Sequence, residues 1–226
     1  MDFLLSNSGV ILALFIFLFV FHAGKYLHKY QYIFELGALL LSIIVYLSQP
    51  QVFNFNLGFV GSMISSGHLS LAFFLLVMFT GVFKKNSKAK KALSLVRAEL
   101  AIIGFIFLLP HGLSRLELAL SGFNLSGLFA FMIFIPLIVT SFMFVRKKMN
   151  PKHWKQLHKL AYVAYFFIYI HLAFNIYINP NYGYFIPDAD ALLYHFILLL
   201  YVTLRVIFVI IPKHQKKEKE LNSRAV

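Results

Sequence analysis

Long apolar runs separated by short polar gaps dominate this sequence of 226 residues. A membrane-crossing helix needs about 20 mostly apolar residues to span a hydrocarbon layer of about 30 Å. Only 13% of the residues are charged, whereas soluble domains carry roughly a quarter, and the mean hydropathy is +0.78. We therefore expect an all-α integral membrane protein, a bundle of about seven transmembrane helices. The predicted spans are residues 9–21, 32–48, 57–83, 96–120, 125–145, 157–178 and 191–211.

The basic residues lie in alternate gaps between these runs. The gaps after the first, third and fifth runs and the C-terminal tail are rich in Lys and Arg, whereas residues 49–56, 121–124 and 179–190 contain none. Basic loops stay on the cytoplasmic side, which predicts a multi-pass protein of the cell (cytoplasmic) membrane with its N-terminus outside and its C-terminus in the cytoplasm. Because most of the basic residues behind the net charge of +13 lie in these gaps, the charge predicts no nucleic-acid partner.

The composition also excludes several classes of cofactor site. The chain has no Cys, so disulfides, iron–sulfur clusters, thiolate metal sites and covalently attached c-type haem are absent. No Gly-rich loop follows a predicted strand, which argues against a flavin- or nicotinamide-binding domain within the chain.

Two histidines are predicted to lie at the same depth in the membrane. His111 follows Arg97, at the cytoplasmic edge of the fourth run, by fourteen residues, and His171 follows His158, at the same edge of the sixth run, by thirteen. At about 1.5 Å per residue, both imidazoles lie about 20 Å from that edge. Two imidazoles at one depth on two helices are what a b-type haem needs as axial ligands. The alternative is that each histidine bonds a neighbouring backbone carbonyl.

Other polar residues in the spans form a second tier of candidates. His68 and His195 lie near the same depth and could replace one of the two ligands, bond a haem propionate or line a quinol or substrate pocket. Arg115 is one helical turn beyond His111, so it either pairs with a propionate or extends to lipid headgroups or Glu117. We expect Glu99 to be solvated at the interface.

Three stretches carry a family resemblance. Residues 154–162, WKQLHKLAY, followed by His171, resemble the W-x-x-L-H-x-L-x-Y…H signature of the ferric reductase-like transmembrane domain. Residues 97–100 leading to His111, and residues 67–81, resemble two further helices of that family. The likeness covers residues 32–211 and is greatest to the haem-binding membrane subunits that partner methionine sulfoxide reductase.

The resemblance implies a six-helix haem-binding core at 32–211, preceded by an added helix and basic inner loop at 1–31 and followed by a basic cytoplasmic tail at 212–226. It further implies that His111 and His171 are the axial iron ligands of an outer haem b, with His158 binding an inner haem. Arg97 occupies the family position opposite His158, and a guanidinium has no free lone pair for iron. We therefore expect one haem; a second would need another ligand opposite His158 or would be five-coordinate.

These observations predict a protein that transfers electrons across the membrane through haem b, an oxidoreductase subunit without its own flavin domain. The donor would be a separate flavoprotein or quinol, with FMN or a quinone as a further cofactor. The acceptor would be an extracytoplasmic redox partner or ferric iron. Two alternatives stay open: a proton-coupled or small-solute transporter that uses the intramembrane His and Arg residues, and a non-catalytic membrane scaffold.

Overall fold

A computed structural model describes residues 8–50, 52–175, 186–187 and 191–215, with no side-chain description for 175, 186 and 187. The helices are α1 Ser8–Lys29, α2 Gln31–Ser48, α3 Gly58–Ser65, α4 His68–Phe79, α5 Lys88–Leu95, α6 Arg97–Ser114, α7 Leu116–Leu120, α8 Leu125–Val139, α9 Met143–Arg146, α10 Pro151–Leu157, α11 Leu160–Ala173 and α12 Leu192–Arg205, which continues into a π-helix at Val206–Ile210. A two-residue antiparallel pair joins β1 Phe174–Asn175 to β2 Ile186–Pro187.

Four of the described helices are long and apolar enough to cross a membrane: Ser8–Lys29, Gln31–Ser48, Arg97–Ser114 and Leu192–Gln215. A fifth span is obtained if the bent pair α3 and α4 counts as one. The chain is accordingly an all-helical membrane protein, as predicted, but seven full-length spans are not observed among the described residues. The fifth and sixth runs form helices of 15 and 14 residues, which at 1.5 Å per residue extend only about 21–23 Å. Residues 176–178 of the sixth run lie outside the described residues.

The third predicted span is broken in the middle. Helices α3 and α4 meet at an angle of 58°, because Gly67 between them has φ +80°. This left-handed conformation is open to glycine at little cost and is rarely adopted by residues with a Cβ atom. A hydropathy pattern cannot reveal the break, since the apolar run continues through it.

The helices pack as two neighbouring groups. Helix α4 lies between α1 and α6, and α2 packs on the other side of α6, whereas α8 and α11 pack against each other. One apolar core joins α1, α2, α4 and α6, and a smaller one joins α4, α8 and α11 around Phe74 and Phe134. Helix α12 contributes no buried residue.

The C-terminal end of α4 is held by two cations from elsewhere in the chain. The Lys90 ammonium donates to the Thr80 carbonyl, and Arg205 Nη1 donates to the Gly81 carbonyl at 3.1 Å. The last carbonyls of a helix have no partner within it, and its C-terminus favours positive charge. Burial lowers the pKa of Lys90, and the charges of Arg97 and Arg205 lower it further. Arg205 thus joins α12 to the end of α4.

Candidate functional site

The imidazoles of His111 and His171 face the same cavity. Their ring centroids are 6.2 Å apart, with the ring planes at 74°, and both residues line a cavity of about 470 Å³, here named the paired-histidine cavity. His111 comes from the C-terminal turn of α6 and His171 from that of α11. The two residues singled out by their common depth are therefore brought together in space.

The hydrogen bond of His111 defines its tautomer. Its Nδ1 lies 3.0 Å from the carbonyl oxygen of Ser65, at the end of α3. A carbonyl can only accept, so Nδ1 carries the proton and donates it, and in the neutral ring Nε2 keeps the lone pair. An imidazole that donates one N–H to a backbone carbonyl is the usual arrangement of a metal-ligating histidine. The lack of a side chain at Gly67 leaves room for this ring, because a Cβ there would lie 3.3 Å from His111 Cγ.

His171 is held tightly but lacks a partner on one nitrogen. Its Nδ1 is buried without a hydrogen bond in the described structure, which is an unusual state for a buried polar atom. A Cβ at Gly127 of α8 would lie only 2.7 Å from this nitrogen, so glycine is what lets the ring fit. The backbone carbonyl of His171 accepts from Asn124 Nδ2 at 3.3 Å.

The second-tier candidates separate into two sets. Arg115 and His68 also line the paired-histidine cavity, and His68 Nδ1 lies 2.9 Å from Ser8 Oγ. Arg115 and Glu117, both described, form no ion pair with each other. His195 is not among the residues that line the cavity; its Nδ1 lies 2.9 Å from Tyr169 Oη.

His158 and Arg97 line a second cavity of about 470 Å³, named here the Arg97 cavity. Trp154 stacks near His158, with ring centroids 4.1 Å apart, and its Nε1 donates to the Thr140 carbonyl at 3.0 Å. The Thr140 hydroxyl lies 3.1 Å from His158 Nε2. The nitrogen that would bind an inner haem is thus already engaged, and Arg97 offers no lone pair.

One polar pair in the Arg97 cavity differs from the sequence-based expectation. Glu99 was expected at a solvated interface, but it is buried and its Oε1 lies 2.6 Å from His28 Nδ1. Glu35 lines the same cavity. The pairing joins α1 to α6 across 71 positions, and no local pattern signals a contact at that separation.

The described part of the chain contains no group of three His, Cys, Asp or Glu residues that could hold a metal ion. A haem site requires no such group, because the porphyrin supplies four of the iron ligands and the protein one or two. His111 and His171 together meet this requirement of one or two protein ligands.

Comparison with known proteins leaves the chemistry unassigned. No protein-family model matches the chain, and no solved structure matches it. The chain is 31% identical over 199 residues to an uncharacterized protein of Treponema pallidum (strain Nichols), an alignment that covers 80% of this chain and 55% of that protein. The chain thus spans about half the length of the curated relative it matches. The class defined by the fold is a multi-helix membrane protein, and the ferric reductase-like resemblance stays a prediction.

Proposed function

We propose that this chain is a b-type haem protein of the cytoplasmic membrane that transfers electrons across the bilayer. The observation that carries the proposal is the 6.2 Å separation of the His111 and His171 ring centroids. Two metal–nitrogen bonds of about 2 Å, plus about 1 Å from each nitrogen to its ring centre, give about 6 Å. The centroid separation is thus compatible with one iron held between the rings.

The residues around the pair suit the same ligand. The Ser65 carbonyl fixes the His111 ring, and Gly127 leaves room for the His171 ring. Arg115 lines the cavity beside both, where its guanidinium would pair with a carboxylate of the bound group. Bound haem would supply reversible one-electron chemistry, His111 and His171 would hold it, and the residues that line the cavity would keep water out.

In this proposal the seven apolar runs form one bundle, with α8 and α11 as its shorter members and the Arg97 cavity on the cytoplasmic side. A separate flavoprotein or quinol would deliver electrons there, and an extracytoplasmic redox partner or ferric iron would receive them. The chain itself would be the electron-transfer subunit. The placement of the basic gaps supports this orientation.

The test is a reduced-minus-oxidised absorption spectrum of the purified protein, with haem quantified per chain. We expect one low-spin b-type haem, lost in His111→Ala and in His171→Ala. His195→Ala is the matched control, because this histidine does not line the cavity, and it should keep the spectrum. A protein that stays colourless when expressed with excess haem would contradict the proposal.

A transporter is the second candidate, and the bent pair α3 and α4 favours it. Helices broken near the middle of a membrane line the substrate sites of many transporters, and the 58° bend lies beside the paired-histidine cavity. In that case the protein would bind no haem, and solute or proton flux through reconstituted vesicles would depend on His111.

A further inference from the structure

Two phenylalanines separate the paired-histidine cavity from the Arg97 cavity. Phe74 of α4 and Phe134 of α8 are the only described residues that line both. Their rings are stacked, with centroids 4.3 Å apart and planes within 3° of parallel. Each residue is only 3% exposed. The two stacked rings are therefore the part of the lining that the two cavities share.

The surroundings of this pair are apolar as well. Leu137 and Ala164 are buried with the two rings in one cluster, and Tyr165 packs edge-on against Phe134 at 6.1 Å between centroids. The Phe rings carry no hydrogen-bonding group, and apolar constrictions in membrane proteins exclude water by dewetting. A proton needs a chain of water or polar groups to advance, and the two Phe rings themselves supply none.

Polar groups stand on both sides of the layer. His111, His171 and Arg115 line one cavity, and Arg97 and His158 line the other. Without the two rings, the shared part of the lining would be missing, and we expect the cavities to join into one path through the bundle. Such a path would let water and protons leak along the route that electrons are proposed to take.

We infer that Phe74 and Phe134 form a seal that stops water and protons between the two cavities while an electron crosses. The electron-transfer half of this inference rests on the proposed function, but the seal itself can be measured independently of it. An electron needs no hydrogen-bonded chain to cross an aromatic layer, whereas a proton does. The layer can therefore pass electrons and still block protons.

The test is proton flux into vesicles that carry the purified protein and enclose a pH-sensitive dye, under an imposed pH gradient. Wild-type vesicles should be as tight as vesicles without protein. The double variant Phe74→Ala/Phe134→Ala should raise the flux on the order of tenfold, whereas Phe134→Leu should stay close to wild type. Phe129→Ala is the matched control, because Phe129 lies on the same helix but is 52% exposed.

Thermal unfolding and the haem spectrum of the same samples separate the possible failures. A double variant that unfolds like the wild type and does not leak would overturn the seal, and so would a wild-type protein that conducts protons. If the double variant does not fold, the single variant Phe134→Asn is tested in the same vesicles. A proton flux above that of the wild type then supports the seal, and tight vesicles overturn it. A tight wild type with a leaky variant but no haem would keep the seal and overturn electron transfer.

Discussion

At the scale of single residues, a missing side chain decides how His171 is placed. Gly127 of α8 faces the ring, and a Cβ there would lie 2.7 Å from Nδ1 and 2.9 Å from Cε1. Contacts this short cannot persist, and the ring is confined between two packed helices. An added methyl group must therefore displace either the imidazole or the helix that carries it.

We expect Gly127→Ala to weaken haem retention and to lower the free energy of unfolding by about 1–3 kcal/mol, the usual cost of overpacking. Gly37→Ala is the control, because a Cβ at Gly37 of α2 meets nothing within 4 Å, and it should be neutral or slightly stabilising. Haem per chain and thermal unfolding in detergent measure both effects. If Gly127→Ala and Gly37→Ala had the same haem content and the same thermal stability, the His171 ring would have more room than these distances allow.

At the scale of helices, α12 is attached to the bundle by few contacts. The helix has no buried residue, so its side chains bury less surface than those of α1, α2 and α6. Arg205 joins it to the end of α4 through Gly81 and, at 2.9 Å, to the hydroxyl of Tyr162 on α11. Tyr169 adds one hydrogen bond to His195. The polar contacts of Arg205 are therefore central to the position of α12.

We predict that Arg205→Leu lowers the free energy of unfolding by about 1–2 kcal/mol, because it removes two hydrogen bonds from a charged donor. Tyr162→Phe removes one of them and should cost about 0.6 kcal/mol. In the double variant the effects should be less than additive, since both act on one contact. Denaturation in mixed micelles measures the free energies of unfolding of the wild type, the two single variants and the double variant. Full additivity would indicate that the two side chains do not interact.

The helices also show what the sequence can and cannot predict. Depth along a helix follows from a fixed rise per residue, which is why the sequence alone is enough to pair His111 with His171. The rotation of a helix about its axis does not follow from hydropathy, and so His195 can match the pair in depth without reaching the cavity. The bend at Gly67 and the pairing of Glu99 with His28 depend on tertiary contacts that no local pattern contains.

At the scale of the whole molecule, charge and cavities are arranged along one axis. Arg97 begins α6 and His111 lies in its last turn, so the helix carries one cavity at each end. Two basic segments lie near Arg97: Lys88, Lys90 and Lys91 precede it in the chain, and Arg146 and Lys155 line the Arg97 cavity. If basic loops remain in the cytoplasm, electrons that enter at the Arg97 cavity must move outward.

The absence of Cys from the chain makes this orientation directly testable. We predict that Ser121→Cys reacts with a membrane-impermeant thiol reagent on intact cells, because residue 121 follows α7 on the side without basic residues and is exposed. Lys91→Cys, also exposed, should react only after the membrane is permeabilised. The unsubstituted protein, which cannot react, is the control. The reverse labelling pattern would place the paired-histidine cavity on the cytoplasmic side, and the proposed direction of electron transfer would then be wrong even if haem is bound.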